Sequence, residues 1–316
     1  KNGNTLEAES NPSPVSTILK GSGIKVTWVA SSDPQVTHVR LYRSLVGDAI
    51  YYYDNEHAVG DLKVALTTTD GGLGSEVEID NDRPPLGSVV IGPAYNGYCF
   101  ILNGNRLYYC KANRPESWPA LYYIEVGSPQ LPLTAAVFMG GILYVMNRTE
   151  IYSIQGTGVA SFFPYPVNAI TGADSQEGVL AVKGYGIFRI KSDGIWLFTG
   201  AEDKKFSQDR FDPIFRGETK SGIPAVNTAY IENCWLLQHK NFLYFGYPGG
   251  MATQPNSLIV LNLSNMKASY YDYGQTFPCI AIDRTNDRIL AADNAGKVWQ
   301  LEIGSDDNGT SIVWEI

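Results

Sequence analysis

The chain has 316 residues, 44% hydrophobic, 12% aromatic and 18% charged, a composition typical of a packed globular protein and not of a disordered one. Its formal net charge is -8 and it has no basic block suited to nucleic-acid phosphates, so we expect no specific nucleic-acid binding. No apolar run approaches the roughly 18 residues that a membrane span needs, so we expect no membrane partner.

The amino-acid usage favours strands and tight turns over helices. Tyr (20), Gly (32) and Pro (17) are plentiful, and long stretches of Ala, Glu, Lys and Leu are missing. This mixture is typical of half-buried strands joined by turns. The sequence therefore predicts an all-β fold.

The N-terminal part predicts a small β-domain over residues 17–86. Apolar side chains alternate at Ile24, Val26 and Trp28, the period of a strand with one buried face, and we expect Trp28 to lie in the core. Strands this short need a second sheet to cover them, which favours a β-sandwich. Residues 1–16 are predicted to be the end of an upstream module or a linker.

After the Pro-rich stretch "DNDRPPLG" the sequence repeats a pattern of strand, tight turn and strand. Two of the repeats end at Gly156 and Gly200, which are 44 residues apart and so within the blade period of propellers. Residues 87–304 are therefore predicted to form a β-propeller of about five or more blades. Residues 201–226 are poorly patterned and are interpreted as a long excursion, and residues 305–316 as the start of a downstream β-segment.

The sequence offers no constellation of catalytic residues. The three histidines lie in unrelated segments, and no paired catalytic carboxylates, nucleophile–base pair or nucleotide-binding fingerprint is evident. Acidic turns such as "DRTND" and "ADN" suggest calcium, but they lack the ligand spacing of a calcium loop, which favours hairpin-turn chemistry. We expect no enzyme activity, no cofactor and no metal.

Two kinds of residue are candidates for partner or ligand contact. In the loop "KANRPESWP", Lys111, Arg114 and Trp118 either bind a sugar or a partner, or Trp118 tucks under its own rigid loop. Tyrosines bring a large contact area at low entropic cost, so two tyrosine clusters are expected to contact neighbouring subunits, and the alternative is that these rings pack between blades. The clusters contain Tyr51, Tyr52 and Tyr53, and Tyr270 and Tyr271.

The order of several motifs resembles a group of large virion proteins of tailed bacteriophages, which pair fibronectin type III-like modules with a β-propeller. The motifs are "ESNPSP", "GIKVTWVASSDPQVTHVRLYRS", "RPPLG", "LNGNRLYYCKANRPESWP" and "LYVMNRTEIYSIQG". The resemblance implies a fibronectin III-like sandwich, a structural role in the tail or neck tube of the virion, and a ring of copies contacting neighbouring virion proteins. The family has no catalytic residues to carry over.

The alternative is a carbohydrate-binding propeller or adhesin that recognises a host-surface glycan. A lectin of this kind needs aromatic and polar pockets repeated at equivalent blade positions. The turns NGN, GG, NRT, GYG, SDG, HKN and AGK share no common pocket chemistry, which counts against this alternative.

Overall fold

The computed structural model describes residues 9–16, 24–85, 89–208, 210–303, 306–307 and 310–311. The protein is built from small antiparallel sheets, which confirms the prediction of an all-β fold. It divides into two compact units, Lys1–Leu86 with Tyr109–Tyr122, and Gly87–Tyr108 with Tyr123–Ile316. Within the part of the chain that the structure describes, no helix has the length and apolar character needed to span a bilayer.

The first unit contains two two-stranded antiparallel sheets. Its strands are β1 (Lys25–Thr27), β2 (His38–Ser44), β3 (Tyr51–Ala58) and β4 (Lys63–Ala65). Strand β1 pairs with β4, where Val26 lies opposite Val64, and β2 pairs with β3 across a register shift at Leu41 and Tyr42. The segment of residues 9–16, expected to be a linker, is anchored here because Glu9 pairs with Arg40 at 2.8 Å.

Within residues 24–85 the buried side chains are polar, those of Asp54 and Asn81, and not apolar. The Asp54 side chain is 1% exposed and accepts hydrogen bonds from Arg43 Nε at 2.6 Å and Thr68 Oγ1 at 2.8 Å. The prediction that Trp28 is a buried core residue is wrong. Trp28 is half-buried, and its Nε1 donates to the Val59 carbonyl at 3.1 Å. None of the described apolar side chains of residues 24–85 is fully buried, so these residues offer no apolar core in which Trp28 could be buried completely.

The second unit holds five consecutive sheets, A to E, in each of which strands adjacent in sequence are adjacent in the sheet. Sheet A consists of β5 (Val89–Tyr95), β6 (Tyr98–Asn103), β7 (Arg106–Tyr109) and β8 (Tyr123–Glu125). Sheet B consists of β9 (Ala135–Met139), β10 (Ile142–Met146), β11 (Ile151–Gln155) and β12 (Phe163–Pro166).

The remaining sheets follow the same plan. Sheet C consists of β13 (Val179–Val182), β14 (Gly186–Lys191), β15 (Gly194–Phe198) and β16 (Asp203–Lys205). Sheet D consists of β17 (Trp235–His239), β18 (Phe242–Tyr247), β19 (Ser257–Asn262) and β20 (Ala268–Tyr271). Sheet E consists of β21 (Cys279–Asp283), β22 (Arg288–Ala292) and β23 (Val298–Leu301), and a short pair, β24 (Asp306–Asp307) and β25 (Thr310–Ser311), follows.

Consecutive sheets pack face to face through apolar clusters. The first strands contact one another in succession, β5 with β9, β9 with β13, β13 with β17 and β17 with β21. One buried cluster contains Tyr144 of sheet B and Ile187 of sheet C, another contains Phe188 of C and Phe245 of D, and a third contains Tyr244 of D and Ile289 of E. Because neighbouring residues of a strand point to opposite faces, Ile187 and Phe188 serve two different interfaces.

The poorly patterned residues 201–226 are only partly an excursion. Strand β16 completes sheet C, and its Asp203 forms a fully buried ion pair with Arg189 of β14. The short helix α1 (Asp212–Phe215) then inserts Phe215, whose ring stacks on Phe245 at 5.8 Å between ring centroids. The apolar residues of this segment are too sparse to produce a visible period, although they reach the core.

A substitution at Gly246 tests the packing of sheet D. It lies opposite Trp235, and an added Cβ would come within 2.2 Å of the indole ring. Because this ring is buried and its Nε1 donates to the Phe277 carbonyl at 2.8 Å, it has little room to move. Gly246→Ala should lower the free energy of unfolding by about 1–3 kcal/mol, the cost of overpacking a core. Urea denaturation measures the change.

The matched control is Gly158→Ala in the same unit. Its added Cβ would lie 3.6 Å from the Tyr98 hydroxyl, an ordinary contact distance. Its unfolding free energy should stay within about 0.5 kcal/mol of the parent value. Equal midpoints for the two variants would show that Trp235 does not pack as described.

Candidate functional site

The loop that contains Lys111, Arg114 and Trp118 belongs to the first unit, although the sequence predicts it as part of the second domain. The loop is internally hydrogen-bonded: the Lys111 N–H donates to the Ser117 carbonyl at 2.8 Å, and the Arg114 N–H donates to the Lys111 carbonyl at 3.0 Å. We call Tyr109–Tyr122 the arm. Its tight turns give it a defined shape for contact with residues 78–82.

Two cations of the arm bind carboxylates of the first unit. Lys111 Nζ lies 2.5 Å from Asp80 Oδ1 and 3.1 Å from Glu78 Oε2, and the Arg114 guanidinium lies 2.7 Å from Glu78 Oε2. Burial alone would lower the pKa of Lys111, but hydrogen bonds to Asp80 and Glu78 outweigh it and raise this pKa. The hydrogen bond from Lys111, followed by that from Arg114, lowers the pKa of Glu78.

Trp118 is tucked under its own loop. The side chain is 5% exposed, and its Nε1 donates to the Pro115 carbonyl at 2.7 Å. Its backbone N–H also donates to the Asp82 carbonyl at 2.9 Å. Of the two interpretations left open by the sequence, the structure therefore has the tucked one, and the indole offers no open face for stacking on a sugar.

Asn81 joins the arm to the N-terminal segment, and the sequence analysis does not identify it. Its Oδ1 accepts hydrogen bonds from Lys111 Nζ at 3.1 Å and from Ser117 Oγ at 2.8 Å, and its backbone N–H donates to Asn11 Oδ1 at 2.6 Å. Its Nδ2 is buried without a hydrogen-bond partner among the described residues. The only signal in the sequence is the Asp and Asn run before Pro84, which is typical of any turn.

The predicted tyrosine cluster of β3 makes contacts within the first unit. Tyr51, Tyr52 and Tyr53 are all half-buried. The Tyr52 hydroxyl donates to Asp48 Oδ2 at 3.2 Å. The Tyr53 ring packs edge-on against Tyr42, with 5.9 Å between ring centroids. These contacts give Tyr52 and Tyr53 a role in packing within the first unit.

The second predicted cluster is divided between the two faces of sheet D. Tyr270 packs on the cluster shared with sheet C, and its hydroxyl lies 3.3 Å from Ser257 Oγ. Tyr271 packs on the cluster shared with sheet E and lies edge-on to Tyr273, with 6.2 Å between ring centroids. Adjacent residues of a strand point to opposite faces, so these two rings cannot form one patch.

Tyr270 lines a cleft of about 130 Å³ on sheet D. Arg210 and Lys220 contribute the cationic groups of its lining, and Phe211 and Ile223 contribute apolar side chains to it. Lys220 Nζ donates to the Arg210 carbonyl at 3.3 Å, and the Arg210 guanidinium lies 5.0 Å from the centroid of the Phe206 ring. Neither cation has an ion-pair partner among the described residues. Sequence reasoning missed both because residues 201–226 show no clear pattern.

The acidic turns use their carboxylates for turn hydrogen bonds. Asp283 accepts hydrogen bonds from the Thr285 N–H, from Asn286 Nδ2 and from Arg288 Nε, and these contacts, that of Asn286 foremost, lower its pKa to about 2. Asp293 accepts from the Trp299 indole at 2.7 Å. Within the described ranges, no group of three His, Cys, Asp or Glu side chains is placed to hold a metal ion.

Lys111→Met tests the arm. The substitution leaves two partly exposed carboxylates without their ammonium partner, and we expect a local loss of about 1 kcal/mol after solvent screening. The amide of Trp118, which is bonded to the Asp82 carbonyl, should then exchange with solvent about fivefold faster in a native-state hydrogen-exchange experiment.

Lowering the pH should also weaken the protection of the Trp118 amide in the parent chain. The pKa of Glu78 is lowered in the folded state, so its contribution is complete above its ordinary value of 4.5 and is lost as the pH falls below it. The protection of the Trp118 amide against exchange should therefore decrease as the pH is lowered in the parent chain, and should decrease less in Lys111→Met. Lys63→Met, which changes an exposed lysine of β4, is the control, and an equal effect of both variants would contradict the prediction.

No family model and no curated protein matches the chain. Among solved structures, it is similar to the extracellular domain of a proposed one-component system from B. thetaiotaomicron, at 11% identity and a TM-score of 0.42, over 91% of this chain and 36% of that one. It is also similar to the Nup170 N-terminal domain–Nup53 complex of Chaetomium thermophilum, at 12% identity and a TM-score of 0.42, over 68% and 36%. The computationally designed Ika4 protein matches at 13% identity and a TM-score of 0.34, over 56% and 95%. The chain thus spans about a third of the length of the first two, and likenesses this weak assign no function.

Proposed function

We propose that the chain is a non-catalytic structural component of the virion of a tailed bacteriophage, in the tail or neck, where it assembles with copies of itself and with neighbouring virion proteins. The order of motifs from "ESNPSP" to "LYVMNRTEIYSIQG" supports this role through its resemblance to such proteins. The internal use of Lys111, Arg114 and Trp118 agrees with it, since these side chains stabilise the first unit.

We also propose that the second unit is a β-propeller of about five or more blades, and that the first is a fibronectin III-like β-sandwich. Five successive meanders, whose first strands contact in order and whose faces bury apolar clusters, have the organisation expected of blades. The sandwich rests on the resemblance carried by Trp28 and the "LYRS" strand, and on the two small sheets of this unit.

The observation that carries the assembly role is an exposed aromatic pair on β12. Phe163 is 59% exposed and Tyr165 is 54% exposed, and their rings lie edge to face with 6.0 Å between centroids. Aromatic side chains are enriched at interfaces because they bury a large area at low entropic cost. These rings are more exposed than the tyrosines that the sequence predicts for contacts.

Two prolines prevent this edge from pairing with another strand. The Val167 N–H donates to the Ile151 carbonyl, so residues 163, 165 and 167 direct their backbone groups toward β11. Pro164 and Pro166 therefore face outward, where they offer no N–H. A copy of this chain that contacts β12 must do so through side chains, which favours a closed ring over open-ended strand addition.

Removing the aromatic pair tests the proposed function. The full-length protein with Phe163→Ser and Tyr165→Ser should fold but enter virions at least tenfold less efficiently, the effect of losing an interface hot spot. Quantitative mass spectrometry of purified particles measures its copy number. Val298→Ser is the control, since Val298 is 67% exposed on β23.

Incorporation of the double variant at the parent level would show that β12 is not the contact surface. Absence of the parent protein from purified particles would end the virion proposal itself. Exposed rings also stack on sugars, so a glycan array tests the alternative of an adhesin. Saturable glycan binding that is lost in the double variant would favour that alternative.

A further inference from the structure

The outer edge of β20 is open, in contrast to that of β12. The Asn262 N–H donates to the Lys267 carbonyl at 2.9 Å, so residues 267, 269 and 271 direct their backbone groups toward β19. Ala268 and Tyr270 therefore direct their N–H and carbonyl groups outward. No proline occupies these positions, and both residues line the cleft on sheet D.

The cleft has the size and polarity for one aliphatic residue with a negative charge. Its volume of about 130 Å³ is the space of about four water molecules. Phe211, Ile223 and the buried Ile259 provide apolar surface, whereas none of the described residues that line the cleft is acidic. Arg210 and Lys220 bring two cations without ion-pair partners among the described residues, in a chain whose net charge is -8.

We propose that this cleft binds the carboxyl-terminal residue of an extended peptide that pairs with the edge of β20. The peptide backbone pairs with the outward groups of Ala268 and Tyr270, as in strand addition to a sheet edge. The terminal aliphatic side chain enters the cleft. The terminal carboxylate accepts charge-assisted hydrogen bonds from Arg210 and Lys220.

A terminal carboxylate fits this geometry better than an internal acidic residue. In an extended peptide, neighbouring side chains point to opposite faces, so a glutamate next to an apolar residue cannot enter the same cleft. The carboxylate and side chain of the last residue, in contrast, leave the same Cα atom. Peptide binding at this cleft does not require the virion role proposed above.

The first test compares two peptides on the unchanged 316-residue chain. A fluorescein-labelled Thr-Val-Thr-Val-Leu with a free carboxylate should show saturable binding by fluorescence anisotropy, weakened by added salt. The same peptide with a terminal amide should bind at least tenfold more weakly. No saturable binding below about 1 mM, or equal binding of the two peptides, overturns the proposal.

The second test changes the cleft. Arg210→Ala and Lys220→Ala should each weaken binding at least fivefold, whereas Lys183→Ala, which removes an exposed lysine outside the cleft lining, should leave it unchanged. Equal effects of all three would reveal a non-specific attraction of charge and overturn the proposal. Circular dichroism confirms that each variant is folded.

The third test addresses the strand edge. Ala268→Pro removes an outward N–H and no hydrogen bond to β19, as the natural prolines of β12 do toward β11, and should weaken binding at least tenfold. Ala268→Ser keeps this N–H and should bind like the parent. Unchanged binding to Ala268→Pro, or equally tight binding of N-acetyl-leucine and the pentapeptide, would show a small-acid site without strand pairing and overturn the proposal.

Discussion

Face-to-face apolar packing between consecutive sheets is the interaction on which the second unit depends. Its sheets have three or four short strands, and sheets of this size need a covered face for stability. Residues such as Phe188 and Phe245 supply that cover from neighbouring sheets, and the residue before each of them, Ile187 or Tyr244, packs on the opposite neighbour. A loss of packing at one interface is therefore transmitted along the series, because each inner sheet supports two others.

The small sheets of the first unit are stabilised by ion pairs and hydrogen bonds. The buried Asp54 pairs with Arg43, and Lys111 of the arm binds Glu78 and Asp80. Such contacts are directional and depend on pH and salt, whereas apolar packing depends mainly on the area removed from water. The two units should therefore respond differently to solution conditions.

The sequence predicts the strands better than the contacts between distant segments. Alternation and turn residues identify the meanders from "YCFILNGNRLYYC" to "DRTNDRILAAD", because these signals are local. The division of Tyr270 and Tyr271 between two faces also follows from strand period, although the tyrosines were interpreted as one cluster. The partners of Lys111, the burial of Trp118 and the meeting of Arg210 with Tyr270 depend on residues far apart in sequence, for which a single sequence carries no signal.

The arm has a consequence for how this protein can be divided or recombined. The first unit consists of two separate stretches of sequence, and the second stretch leaves and re-enters sheet A between β7 and β8. A cut after residue 86 would leave Glu78, Asp80 and Asn81 without their lysine. A fragment that keeps the first unit whole must therefore include β5, β6 and β7, which lie between its two stretches of sequence.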